Sequence, residues 1–222
     1  MPTPEEYSVL FLSLRVALVG TLLGLPIGLA VAWALAKTSM RGKVLLDTLV
    51  SFPLVLPPVV TGYALLLLLG RSGPLAGLQQ SLDVELLFTW FAAAMAAGLV
   101  ALPLMVRSME VAMAGVDTRI EMAARPLGAS RWKVFTGVTV PLAFRGIAAG
   151  TLLAFARGLG EFGATIIVAG NIPGSTQTLP LAIYTNLQTG NDDAAVRFIV
   201  FSLVLALAAL LVHRWLIKKA VA

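Results

Sequence analysis

Apolar runs at residues 16–36, 48–70, 86–106, 146–169 with an interruption, and 198–212 alternate with shorter polar segments along this chain. Most of them reach the ~20 residues a helix needs to cross a ~30 Å hydrocarbon core, so the pattern predicts an all-α integral membrane protein with about five spans. The first run does not read as a cleaved leader, because Pro4, Glu5 and Glu6 stand where a basic segment belongs and the run is too long. One polar segment is far longer than a connector. Residues 111–141, VAMAGVDTRIEMAARPLGASRWKVFTGVTVP, carry Arg119, Arg125, Arg131 and Lys133, which lipid will not accept. Thr118 followed by Glu121 fits a capping box and predicts a helix from about Arg119. Pro126 disfavours helical geometry at Arg125, Gly128 permits a reversal, and Ser130 can open a second short helix. The expected product is a compact knob whose Ala123, Ala124 and Gly128 let another protein approach its backbone.

Irregularities inside the runs carry the next layer of information. Gly20, Gly24, Gly28, Ala32 and Ala36 recur every fourth position, a stripe that admits another helix from the same chain or from a second subunit. Pro26 lies within that helix and is expected to bend it. Pro53, Pro57, Pro58 and Gly62 crowd the start of the second run. The carbonyls they free are tolerable at membrane depth only against protein or a water-filled cavity, so Pro57 and Pro58 are candidate pathway residues. In the fourth run, GTLLAFARGLGEFGATIIVAG places Arg157 and Glu161 one helical turn apart in the apolar stretch. A charge there costs at least ~2.5 kcal/mol on insertion scales, so both face protein or water. Two readings follow: the pair neutralises itself, or it borders a pathway in which the Arg attracts an anion and the Glu limits how tightly it is held. Ala156, Gly160 and Ala164 form a second small-residue stripe. Beyond them, Asn171, Ser175, Thr176 and Gln177 lie in a turn-prone loop between the helices, either a solvated connector or a surface for an external partner. His213, beside Arg214 and Trp215, is a headgroup anchor with no chemistry assigned.

Composition agrees with the membrane reading and charge orients it. The chain has 222 residues, 59% hydrophobic and 12% charged, with a mean hydropathy of +0.92. Of 16 Lys and Arg, twelve collect in one set of loops: Lys37, Arg41, Lys43, Arg107, Arg119, Arg125, Arg131, Lys133, Arg145, Arg214, Lys218 and Lys219. The opposite segments keep Arg71 and Arg197 among acids, so the positive-inside rule predicts the N-terminus outside and the C-terminus in the cytoplasm. The net charge of +5 is thus a topology signal and calls for no nucleic acid partner. Without cysteine there is neither a disulfide nor a thiolate metal site. No Gly-x4-Gly-Lys-Ser/Thr loop occurs, so the chain is not itself an ATPase, and no His or paired-carboxylate cluster suggests an embedded enzyme.

The polar knob resembles the coupling motif of ABC-importer permeases, Glu-Ala-Ala, three residues, Gly, nine residues, Ile, any residue, Leu-Pro. Here Ala123, Ala124, Gly128, Val138, Val140 and Pro141 match, while Met122 takes the Glu slot and Glu121 stands one residue early. Further segments, LLDTLVSFPLVLPPVVTGY, LPLMVRSME, AARPLGASRWKVF and LAFARGLGEFGATIIVAGNIPGSTQTLP, extend the similarity over nearly the whole chain, which looks most like the molybdate permeases of bacterial ABC importers, in the binding-protein-dependent transport permease family. The resemblance implies a single type I ABC importer permease-like domain with a cytoplasmic coupling loop at about residues 113–141, in the bacterial inner membrane. It implies that two copies form the pathway, that a cytoplasmic ABC ATPase dimer holding ATP and Mg docks on the coupling loop, and that an external substrate-binding protein delivers the oxyanion. Under it, Glu121, Ala123, Ala124, Gly128, Ala129 and Pro141 serve coupling, and Arg157, Glu161, Thr165, Pro57 and Pro58 the pathway or gate. Asn171, Ser175, Thr176 and Gln177 then face the binding protein, and no cofactor or metal is bound by this chain. Alternatives are a tungstate or sulfate permease, or a self-contained secondary anion transporter or channel.

Overall fold

A computed structural model describes residues 3–124 and 130–221, apart from the side chains of residues 78, 124 and 218–221. Arg125, Pro126, Gly128 and Ala129, on which the predicted reversal and part of the coupling motif rest, lie outside the described residues, as does the side chain of Ala124. The remainder is helical: α1 (Pro4–Lys37), α2 (Lys43–Val55), α3 (Pro58–Leu69), α4 (Ala76–Leu82), α5 (Trp90–Ala114), α6 (Thr118–Ala124), α7 (Arg131–Val134), α8 (Val140–Leu159), α9 (Gly163–Ala169), α10 (Leu179–Gln188) and α11 (Asp192–Val221). A π-helical turn, Phe135–Thr139, joins α7 to α8. Four of these units, α1, α5, α7 through α8, and α11, are long and apolar enough to cross a membrane. The fifth span exists only if α2 and α3, bent by 113° at Leu56 and Pro57, count as one.

Contacts between ends decide that count. Glu6, in the first turn of α1, accepts a hydrogen bond from Arg197 of α11 at 2.6 Å, and Ser13 Oγ accepts from the Leu179 N–H of α10 at 2.7 Å. At the other end of α1, Lys37 Nζ donates to the Val116 carbonyl just past α5, at 2.8 Å. So α1 and α5 finish at the same end, and α5 begins at the end where α1 begins. The chain between them has to traverse the fold, and of the helices there only the α2–α3 pair is long enough to do it, α4 having 7 residues.

α5 is the hub. Thr89 Oγ1 caps it by accepting from the Ala92 N–H, and its Ala92, Ala93, Ala94, Ala96, Ala97 and Ala101 are buried against α1, α8 and α9. Small side chains let the backbones nearly touch: a Cβ built on Gly20 meets the Ala94 carbonyl oxygen at 2.4 Å, and one on Gly98 meets the Gly20 carbonyl oxygen at 2.5 Å. The α1 stripe of Gly20, Gly24, Gly28 and Ala32 is therefore spent on packing within the chain. The second predicted stripe does not form, because α8 ends at Leu159 and Gly160 is exposed in the break that follows. The small-residue face of α8 is instead Gly146, Gly150, Ala154 and Gly158, with Gly146 against Ala112 and Gly150 against Ser108 of α5. α1 keeps one helical course through the exposed Pro26. Its N-terminus is a capping box that the sequence reading passed over, with Thr3 and Glu6 bonding each other's N–H. By contrast Leu203, Val204, Leu207, Leu210 and Leu211 of α11 are exposed, as a face turned to acyl chains should be.

Candidate functional site

Three groups of predicted residues can be located. At the end of the fold where α1 and α5 finish, α6 begins at Thr118, but its first turn is capped by Asp117, whose Oδ1 accepts from the Arg119 N–H at 2.8 Å. The capping box expected of Thr118 and Glu121 is thus not made. Glu121 turns inward: its Oε2 pairs with Lys37 Nζ at 3.1 Å and its Oε1 accepts from Thr139 Oγ1 at 2.7 Å. Ser130 caps α7 as expected, accepting from the Lys133 N–H. Pro141, at the start of α8, has no N–H to offer the Gly137 carbonyl, and its ring would press on that carbonyl in an α-helix. The π-helical turn at Phe135–Thr139, in which the Val140 N–H reaches the Phe135 carbonyl, takes up the misfit. A polar cavity of about 270 Å³ opens here, lined by Trp33, Lys37, Ser39, Glu121, Arg131 and Thr139. Ala123 and Pro141 are exposed.

The second group sits where two broken helices meet. The α2–α3 break at Pro57 and Pro58 lies against the α8–α9 break: a Cβ built on Gly163 meets Pro58 Cβ at 3.0 Å, and one on Gly62 meets the Ala164 backbone at 2.8 Å. Arg157 occupies the last turn of α8 and Glu161 lies in the break, so the pair is not in mid-helix as the sequence suggested. They still bond, Arg157 Nη2 to Glu161 Oε2 at 2.8 Å, with 31% of the Arg side chain exposed against 2% of the Glu. The other Glu161 oxygen accepts the Ala164 N–H at 2.8 Å and so caps α9. Glu161 thus has a local structural task, while nearly a third of the Arg157 side chain stays exposed. Thr165, predicted for this group, is buried on α9, as is Thr61 on α3. Neither hydroxyl has a hydrogen-bond partner among the described residues. Thr61 had not been singled out, and a lone Thr in an apolar run gives no signal.

The third group is the loop between α9 and α10. Asn171 Nδ2 donates to Thr185 Oγ1 at 2.8 Å, and Gln177 Nε2 donates to Asn171 Oδ1 at 3.0 Å, so both side chains tie the loop to α10. Thr176 is buried and accepts the Ile172 N–H. Ser175 stands at the exposed tip with Ile172, Pro173 and Gly174. Of the four predicted loop residues, Ser175 alone is exposed, and the other three fix the loop's shape.

The family model described as binding-protein-dependent transport system inner membrane component matches residues 24–221. The molybdenum transport system permease protein ModB of Escherichia coli (strain K12) is 46% identical over 218 residues, which cover 97% of this chain and 95% of that protein. Its namesake from Haemophilus influenzae is 44% identical over 96% of this chain and 94% of its own length. In fold, the chain aligns with the MetNI methionine ABC transporter, solved in inward facing conformations, with a TM-score of 0.72 over 99% of each chain at 16% identity. The all-α architecture is thus that of ABC importer permeases. With nearly all of its length matched, the chain belongs to the family of binding-protein-dependent transport system inner membrane components, multi-pass proteins of the inner membrane.

Proposed function

We propose that the chain is the permease subunit of an ATP-driven importer for a tetrahedral oxyanion, molybdate, with its N-terminus outside and its C-terminus in the cytoplasm. A second copy completes the pathway, a cytoplasmic ABC ATPase dimer holds ATP and Mg and docks on α6 and α7, and an external binding protein delivers the anion at the α9–α10 loop. Molybdate is favoured by relatives named for molybdenum transport that match almost end to end. The structural observation that carries the pathway is the junction of two helix breaks around Arg157. A dianion passing there meets a guanidinium with donors to spare and, if the breaks part, the unpartnered hydroxyls of Thr61 and Thr165. Glu161 keeps the Arg partly neutralised, so the anion is attracted without being trapped. Alternating access follows when the ATPase draws two α6 knobs together and the spans attached to them move.

Tungstate and sulfate share the shape and charge of molybdate, and a pathway that only conducts need not select among them. Proteoliposomes holding the permease and its ATPase, with ATP inside and the binding protein outside, test the reading directly. Labelled molybdate should enter only with both ATP and binding protein. An excess of sulfate that abolished this uptake would shift the assignment to a sulfate carrier. Flux down a gradient without ATP would instead mark a secondary transporter.

A further inference from the structure

We propose that Glu121 is a positioning residue that ties α6 to α1 and α8 through Lys37 and Thr139, and that it does not itself touch the ATPase. Glu121 is the one buried side chain among those described on α6; Thr118, Arg119, Ile120, Met122 and Ala123 are exposed. A knob turned outward everywhere else can pull on the rest of the fold through that carboxylate. Both of its oxygens are taken, one by Lys37 Nζ at 3.1 Å and one by Thr139 Oγ1 at 2.7 Å. Lys37 is the last residue of α1, and Thr139 closes the π-helical turn that runs into α8. Lys37 also holds the Val116 carbonyl, so the turn between α5 and α6 belongs to the same cluster. Glu121 and Thr139 are buried and Lys37 is largely so, with 9% of the Lys37 and 10% of the Glu121 side chain exposed and Thr139 at 1%, all three at the wall of the polar cavity. Charge-assisted hydrogen bonds of this kind are short and directional, so a shift of α6 large enough to break them is opposed and the attached helices are carried along.

The inference rests on the reading of the chain as an ATPase-coupled permease, and the experiment separates the two. Glu121→Gln keeps the shape and an acceptor for Thr139 but loses the ion pair, while Thr139→Val removes the hydroxyl of a residue too buried to meet a partner. Each variant is purified with its ATPase and reconstituted with the binding protein. ATPase bound per permease and anions imported per ATP hydrolysed are then measured. Both variants should hold the ATPase at the wild-type ratio while import per ATP falls roughly tenfold, and the double variant should fall no further than the worse single one. Because the ratio is taken per purified complex, lower accumulation does not enter it. If a single variant does not accumulate at all, Lys37→Met with Glu121→Met removes both charges at similar volume, and the same fall is expected. Wild-type protein without a bound ATPase overturns the coupled-permease reading. A coupled wild type with variants importing at the same ratio overturns the clamp alone. Loss of the ATPase from Glu121→Gln but not from Thr139→Val overturns it as well, in favour of direct contact.

Discussion

Glu161 shows how one side chain can serve two purposes in a membrane. It caps α9 with one oxygen and pairs with Arg157 through the other, and its burial makes an unpaired charge there costly. Arg157→Met alone should therefore lower the amount of protein in the membrane, as read by quantitative immunoblot. The double variant Arg157→Met with Glu161→Gln removes both charges yet leaves an amide oxygen to accept the Ala164 N–H, so it should accumulate near the wild-type level. Its molybdate uptake should nevertheless fall roughly tenfold, the effect of losing one hydrogen bond from a charged donor to the passing anion, ~1.5 kcal/mol. Uptake at the wild-type rate would reduce the pair to a structural one and remove Arg157 and Glu161 from the pathway.

Helix packing gives the sharpest expectation among the elements. Gly20→Ala places a methyl group 2.4 Å from the Ala94 carbonyl, backbone against backbone, where no side chain can yield. It should destabilise the fold by ~1–3 kcal/mol, seen as a lower melting temperature in detergent. Gly77→Ala in α4, with nothing within 4 Å, should leave it unchanged or slightly raised. The packing of α1 was half legible in the sequence: the spacing of its glycines announced a close partner, but not that the partner was α5. Apolar runs located α1, α5 and α11 because a helix in lipid must be apolar without interruption. α10, short and mixed in character, gave no such signal, nor did α4. The break after Leu159 was half legible: the fourth apolar run carries an interruption, but Arg157 and Glu161 have the spacing of one helical turn, and they bond across a helix end much as they would within a helix. Glu121 was read as a local cap because Thr118 precedes it at the right distance. Its true partners, Lys37 and Thr139, lie in other elements, beyond what local sequence can specify.

At the scale of the whole molecule, the count of crossings is fixed by contacts between distant elements and is open to direct test. Glu6 with Arg197 and Ser13 with Leu179 place the start of α1 and the α9–α10 loop at one end, while Lys37 with Val116 places the finish of α1 and of α5 at the other. An even number of crossings must then separate the start of α1 from Gly174: α1, the bent pair α2–α3, α5, and α8 with α9. Were the bent pair a re-entrant loop that returns to the side it left, three crossings would remain and these contacts could not form. In the proposed orientation the Lys37 end, with Arg41, Lys43, Arg107, Arg119, Arg131 and Lys133 nearby in the chain, lies in the cytoplasm, as the positive-inside rule expects of so many basic residues. A phosphatase active only outside the membrane should therefore be active when joined ahead of Met1 or inserted at Gly174, an exposed site with open space around it. Joined after Ala222 it should be inactive, while a fluorescent protein placed there should glow. Activity at Gly174 with none ahead of Met1 would mean an odd number of crossings between them, and would overturn both the five-span arrangement and the packing of α1 on α10 and α11.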